Sequence, residues 1–189
     1  MAQRPSSVIR RHRKDLVEHE QEEILKFSKV YYWGYRAVGK INASLKDPYG
    51  YDDKRGEYHV VLGDHLYYRF EILSALGSGS FGQVLECRDH QRDTRVAVKI
   101  IRNKKRFHKQ AKIEVELLRK LNENDPNGVS NVIPILEHFV FRNHLCIVFP
   151  LASMNLYELI KKYKFRGFNL SLVVKFAVQI LATLCSMSR

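Results

Sequence analysis

Leu76-Gly77-Ser78-Gly79-Ser80-Phe81-Gly82-Gln83-Val84, followed downstream by Val96-Ala97-Val98-Lys99-Ile100, is the stretch on which the reading of this chain turns. Its glycines are spaced G-x-G-x-x-G, and the flanks alternate like β-strands, which describes a strand–loop–strand hairpin. Without Cβ atoms the backbone of such a loop can lie close to an anion and aim its N–H groups at it. A Walker A loop ends in Gly-Lys-Ser/Thr, and Gly82-Gln83-Val84 supplies none of that. A dinucleotide-binding turn needs a helix after its third glycine and an acid roughly twenty residues on. Here strand-like alternation continues, and Arg102 stands in place of the acid. Two readings remain: a flap over nucleotide phosphates, with Phe81 folded down to exclude water, or a plain Gly/Ser hairpin without a ligand.

Lys99 favours the flap. A lysine inside an apolar β-run is costly to bury unless it is paired, so an anionic partner is expected. Ala97, two residues earlier, lies on the same face, and its small side chain leaves room for a flat ring. Glu114 falls on the helix expected near 107–122, beside Val115 and Leu118, and an ion pair with Lys99 would aim the ammonium at phosphate oxygens. Glycine flap, V-A-V-K strand and helix acid in this order are far more specific together than any one alone.

Around this centre the chain reads as α+β. Strands are expected at 68–76, 82–88, 94–101, 132–141 and 144–149. Asp15-Leu16-Val17-Glu18 looks like a capping box opening a short acidic helix to about Phe27. Val30-Tyr31-Tyr32-Trp33-Gly34-Tyr35 is an aromatic cluster that must pack on the domain after it. Asn42 to Pro48 reads as a loop, and Tyr51 to Val61 as a turn between short strands. Asn155-Leu156-Tyr157-Glu158 is a second capping box, opening a helix to about Tyr163. In the last segment Leu172, Phe176, Ile180 and Leu184 recur four apart, a stripe that demands a partner.

The 189 residues are 45% apolar and 28% charged, enough for a sizeable core. No run approaches 18 consecutive apolar residues, so no membrane span is expected, and the first residues lack the apolar core of a secretory signal. Cys87, Cys146 and Cys185 each sit in an apolar run and read as buried, reduced thiols of a cytosolic or nuclear protein. The net charge of +12 is concentrated in residues 1–14, 99–120 and 161–166, clusters that attract phosphates. Residues 1–14 read as a disordered basic tail. Aromatic residues are not interleaved with the basic runs as stacking platforms would be, so a nucleic-acid partner is not expected.

The sequence resembles the N-terminal lobe of a protein kinase, and more narrowly the dual-specificity tyrosine-phosphorylation-regulated kinases. The residues that carry the resemblance are Ile101-Arg102-Asn103-Lys104-Lys105-Arg106-Phe107-His108, Phe141-Arg142-Asn143-His144 and Asn155-Leu156-Tyr157-Glu158-Leu159. Glu20-Gln21-Glu22-Glu23-Ile24, Val30 to Gly34 and Tyr51-Asp52-Asp53 resemble the homology box before the kinase domain in class II members. The likeness covers about residues 15–184. It implies the homology box at 15–65, an N-lobe and hinge at 66–152 and the start of a C-lobe at 153–189, after the basic tail at 1–14. That N-lobe would be a five-stranded antiparallel sheet with one regulatory helix.

Carried over by position, the resemblance implies a glycine-rich loop of Leu76, Gly77, Ser78, Gly79, Ser80, Phe81, Gly82, Gln83 and Val84. Leu76, Val84 and Ala97 would enclose adenine, and Lys99, held by Glu114, would bind the α- and β-phosphates of ATP. Phe149 would be the gatekeeper, with the Pro150 carbonyl and Ala152 N–H at the adenine edge. Pro150 replaces the family's usual Glu; it keeps the carbonyl but fixes φ, which bears on hinge geometry and inhibitor preference.

The implied activity is ATP- and Mg²⁺-dependent phosphorylation of protein Ser/Thr with tyrosine autophosphorylation. H-x-D-x-K-x-x-x-N and D-F-G do not occur, and no Asp follows Asp125, so no residue here is expected to hold Mg²⁺. The chain is therefore expected to be a truncated gene model, splice product or fragment. The alternative is a catalytically inactive isoform acting as an interaction or nucleotide-binding module.

Overall fold

A computed structural model describes residues 2–42, 50–125 and 127–187. Six strands, β1 (His65–Leu66), β2 (Phe70–Gly79), β3 (Gly82–Asp89), β4 (Thr94–Ile101), β5 (Glu137–Phe141) and β6 (His144–Pro150), form one antiparallel sheet in the order β1-β2-β3-β4-β6-β5. Among the described residues, five α-helices accompany it: α1 (Pro5–His12), α2 (Glu18–Glu23), α3 (Lys105–Glu123), α4 (Leu156–Lys162) and α5 (Leu170–Met187).

From Val96 onward strand β4 is apolar on both faces except at Lys99, because both of its faces are covered. Val96, Val98 and Ile100 join a core with Phe70, Ile72, Leu85 and Cys87 and with Val8, Leu16, Ile24, Val30, Trp33, Tyr51, Tyr58 and Tyr68. Ala97 and Ile101, on the other face, pack with Phe107, Ala111 and Val115 of α3 and with Ile147 and Phe149 of β6. The sheet is thus layered between the N-terminal segment and α3, with Lys99 on the α3 side.

The expected helix near 107–122 and the helix capped by Asn155 are present, the latter with Asn155 Oδ1 accepting from Glu158 N–H at 2.8 Å. The aromatic cluster packs as expected. Tyr32 is fully buried, donates to the Gly63 carbonyl at 2.7 Å and stacks on His90 with ring centroids 4.5 Å apart.

Several expectations need correction. The sheet has six strands rather than five, because the two residues of β1 pair with Phe70 and Glu71. The expected strand 132–141 begins only at Glu137: Pro134 has no N–H, and the Ile135 N–H is taken by Asn122 Oδ1 at 2.8 Å. Of the expected disordered tail 1–14, the described residues 2–14 are ordered, since Pro5 opens α1, Val8 is fully buried and Gln3 pairs with Val30. The acidic helix is not capped by Asp15. It begins at Glu18, where Glu20 Oε2 accepts from the Val17 N–H, while Asp15 accepts from the Trp33 indole at 3.4 Å. Residues 43–48 of the expected 42–48 loop lie outside the described residues. Cys185 is exposed rather than buried, whereas burial pushes the thiols of Cys87 and Cys146 up.

Helix α5 has no buried residue, and its apolar stripe faces solvent, as the sequence leads one to expect. By length and composition it is apolar enough to cross a membrane, with 18 residues and a mean hydropathy of 1.9. The consecutive-run reading missed this because Ser171, Lys175, Gln179 and Thr183 interrupt the run every fourth residue without lowering the mean much. Those four residues share one side of the helix, and Thr183 donates to the Ser130 carbonyl at 2.6 Å.

The N-terminal segment is fastened to the sheet by buried charge. Arg142, on the β5–β6 turn, donates to Glu23 at 2.9 Å, to Glu20 at 3.1 Å and to the Tyr58 hydroxyl at 3.1 Å. Burial alone would raise the carboxyls of Glu20 and Glu23. The His65 hydrogen bond with the Lys40 and Arg142 charges at Glu20, and Arg142 at Glu23, instead hold both below the ordinary 4.5. Burial, then Arg142, lowers His19 below 6.5. All three shifts are downward, so their contribution is present at neutral pH and is lost on acidification. The thermal midpoint should fall as pH drops below 6.5 and again, more steeply, below 4.5. A scan between pH 7 and 4 that shows a rising midpoint would refute this assignment.

Candidate functional site

Strands β2 and β3 turn at Ser80-Phe81, with Gly79 paired to Gly82. Irregularities in the β2 register between Ile72 and Ser74, and between Ala75 and Gly77, bend the strand leading into the hairpin. The three glycines have different reasons to be glycine. Gly82 has φ +150°, and a Cβ there would overlap the Ile100 carbonyl oxygen, so the fold itself demands glycine. At Gly77 and Gly79 a Cβ would meet no atom within 4 Å, and neither has a positive φ. The fold places no demand on those two; they leave the inner side of the hairpin open.

Below the hairpin lies a cleft of about 380 Å³, and Leu76, Gly77, Val84, Ala97, Phe149, Pro150 and Ala152 line it. Sheet register brings them together, because Ala97 pairs with Phe149 and Val96 with Pro150. Pro150 lies beyond the last β5–β6 pair, Glu137 with Val148, so its missing N–H breaks no bond to β5. Ile133, Met154, Asn155 and Glu158 also line the cleft and were not foreseen. The signal for Asn155 and Glu158 was visible as a helix cap; that the cap borders the cleft was not.

Lys99 is the cross-strand partner of the cleft residue Val84 and lies two residues beyond Ala97 on the same face. Its ammonium donates to both carboxylate oxygens of Glu114, at 2.6 and 2.9 Å. Both side chains are partly exposed, 22% for Lys99 and 37% for Glu114, so the ammonium retains access to a further partner. The apolar slot does not itself include Lys99 or Glu114, but the ammonium shares the sheet face of its lining residues Val84 and Ala97, and a slot, a neighbouring ammonium and an open glycine hairpin together suit a flat ring carrying an anionic chain.

Two hairpin residues do not face this slot with their side chains. Gln83 is on the opposite face of β3 from Val84, and its amide donates to the Tyr58 carbonyl at 2.6 Å. Phe81 is not folded down over an anion. Its ring meets Phe107 edge-on at 5.9 Å, because the neighbouring α3 offers it an apolar surface.

A separate group, Glu20, Asp64 and His65, has the donor types of a metal site, with ligand atoms within 4.8 Å of one another. Lys40 Nζ already sits 2.8 Å from Glu20 and 3.7 Å from Asp64, and Arg142 is 3.1 Å from Glu20. Their cations neutralise the carboxylates, so the group is a buried ion network and does not fit a metal.

The chain belongs to the protein kinase domain family, which matches residues 70–187. Within that family its similarity is to the dual-specificity tyrosine-phosphorylation-regulated kinases. It is 45% identical over 184 residues to "Dual specificity tyrosine-phosphorylation-regulated kinase mbk-2" of Caenorhabditis elegans, covering 96% of this chain and 22% of that protein. Identity is 44% to the kinase 2 of Drosophila melanogaster, covering 95% and 26%, and 45% to the kinase 3 of Homo sapiens, covering 95% and 31%. The chain thus spans between about a fifth and a third of the length of these relatives. The sheet and α3 are the N-lobe of a protein kinase, as the resemblance implies, with α5 inside the matched region.

Proposed function

We propose that this chain forms the ATP-binding part of a dual-specificity protein kinase. In the longer protein it would phosphorylate Ser and Thr of protein substrates and autophosphorylate on Tyr. The observation that carries the reading is the Lys99–Glu114 pair on the sheet face that bears the cleft residues Val84 and Ala97, beside a hairpin whose Gly77 and Gly79 are free of any demand from the fold. Glycine is the costliest residue to order, so its use where neither φ nor packing requires it argues for a close-lying ligand.

In this reading Val84, Ala97 and Leu76 sandwich adenine, Phe149 limits the depth of the slot, and Pro150 and Ala152 meet its edge through the backbone. Glu114 fixes the Lys99 side chain so that its ammonium is aimed at the α- and β-phosphate oxygens. Protein kinases use ATP with Mg²⁺, which when bound would supply positive charge against the phosphates. No residue of this chain is assigned to the metal.

Helix α5 is read as a helix of the kinase domain rather than a membrane span. The partners are protein substrates and ATP, without nucleic acid or membrane. The setting is cytosolic or nuclear, in keeping with the buried thiols of Cys87 and Cys146.

The reading is tested by titrating the purified chain with ATP. Saturable binding is expected, and Gly79→Val should weaken it about tenfold or more, a loss of about 1.4 kcal/mol, with little change in thermal midpoint. Gly82→Ala should instead lower the midpoint, because its added Cβ meets the β4 backbone. Absence of saturable binding, or ATP affinity indifferent to Gly79→Val, would overturn the proposal.

A further inference from the structure

Three residues of the glycine hairpin are tied, directly or through one side chain, to a turn of the N-terminal segment. The Arg102 N–H donates to the Phe81 carbonyl at 3.0 Å, and its Nη2 donates to the Gly79 carbonyl at 3.1 Å. The same Nη2 is ion-paired with Glu57. Gln83 donates to the carbonyl of Tyr58, the residue after Glu57.

The turn that supplies Glu57 is itself firmly built. Asp53 Oδ1 accepts from the N–H groups of Arg55 and Glu57, both at 2.8 Å. It is also docked from below. Asp52 accepts from the Asn103 amide at 2.8 Å and lies 2.6 Å from His144 Nε2, and the Asn103 N–H donates to the Gly56 carbonyl at 2.8 Å.

We infer that the turn Tyr51–Tyr58 is a strap that holds the glycine hairpin in place for the phosphates of a bound nucleotide, with Arg102 as the positioning residue and Glu57 as its anchor. The inference rests on the nucleotide-binding reading above and adds to it a determinant of phosphate affinity outside the cleft. Its physical basis is entropy. At Gly77 and Gly79 there are no side chains to order the hairpin, so a ligand that needs it still must offset the lost freedom. Bonds from Arg102 and Gln83 order the backbone beforehand. Glu57 matters because it fixes a guanidinium that would otherwise divide its time between solvent and the Gly79 carbonyl. The pair is partly buried, its Arg102 and Glu57 side chains 20% and 25% exposed, so it is the contrast between ATP and adenosine, rather than stability, that separates a positioning role from a stabilising one.

The test compares the wild-type chain with Glu57→Gln and Arg102→Met by hydrogen exchange of the backbone amides of residues 78–82. Titration with ATP and with adenosine, which has no phosphates, runs alongside. Both variants should exchange faster at the hairpin and bind ATP about three- to tenfold more weakly, while adenosine affinity is unchanged. Unchanged hairpin exchange overturns the strap. So does a parallel loss of ATP and adenosine affinity, which would mean general loosening. A wild-type chain that binds neither compound overturns the nucleotide reading instead, and exchange alone then decides whether the strap orders the hairpin.

Discussion

Lys99→Met should leave the chain as stable as before, or slightly more so, while its affinity for ATP falls about 10- to 100-fold. The two effects separate because they draw on different interactions. Within the free protein, the ammonium and the Glu114 carboxylate are both partly exposed, so their attraction is screened and contributes little beyond the cost of desolvation. Methionine keeps the length and the apolar stem of the lysine inside β4, and Glu114 can be hydrated when left alone. Toward a nucleotide the balance reverses. A hydrogen bond from a charged donor is worth about 1.5–3 kcal/mol, which is the predicted fall in affinity. Adenosine, lacking phosphates, should bind both forms alike. Thermal scans and paired titrations decide it: equal ATP affinity in the two forms would remove Lys99 from the phosphate site, and a large fall in midpoint would make the pair structural.

That pair was readable because its signal is local. A lysine in Val96-Ala97-Val98-Lys99-Ile100 violates the apolar pattern of a doubly covered strand, and such violations point to chemistry. Hairpin, β4, α3 and the Asn155 cap were visible for a related reason: each is set by residues near in sequence. What escaped the reading is what depends on distant partners. Residues 5–12 are basic and offer only two large apolar side chains, Val8 and Ile9, yet Val8 is buried because the aromatic segment and the sheet receive it. Arg102 belongs to the basic cluster 99–120, and only the fold reveals Glu57 and Gly79 beside it. Phe81 was expected to cover an anion and instead meets Phe107, which lies on the next helix. Gln83 is one residue from Val84 and therefore faces the other side of the strand. No spacing rule joins Glu20, Lys40, His65 and Arg142, and the ion network they form is accordingly invisible in the sequence.

Arg142→Met should be the most damaging single change to stability, costing about 3–5 kcal/mol. For a chain of this size that corresponds to roughly 6–20 °C in thermal midpoint. The Arg142 side chain is only 3% exposed and is shared by Glu20, Glu23 and Tyr58, with the guanidinium 4.0 Å from the Tyr51 ring centroid. Removing it does not harm the two acids equally. Glu20 keeps Lys40 at 2.8 Å and His65 at 3.0 Å. Glu23 keeps only the Tyr68 hydroxyl, at 2.9 Å, among its described polar side-chain partners, so it becomes a buried carboxylate with little compensation. The sign of the pH dependence at Glu23 should therefore invert. In the wild type its carboxyl titrates below 4.5, and its contribution disappears on acidification. In Arg142→Met burial is left to raise it, so the neutral acid is favoured in the fold and acidification from pH 7 toward 5 should recover part of the lost stability. Adding Glu23→Leu should recover more than half of the loss at pH 7, because an apolar pair of similar volume needs no counter-charge. Were the damage of Arg142→Met independent of pH and untouched by Glu23→Leu, the arginine would be acting through its packing on Tyr51 and Phe141 rather than through charge.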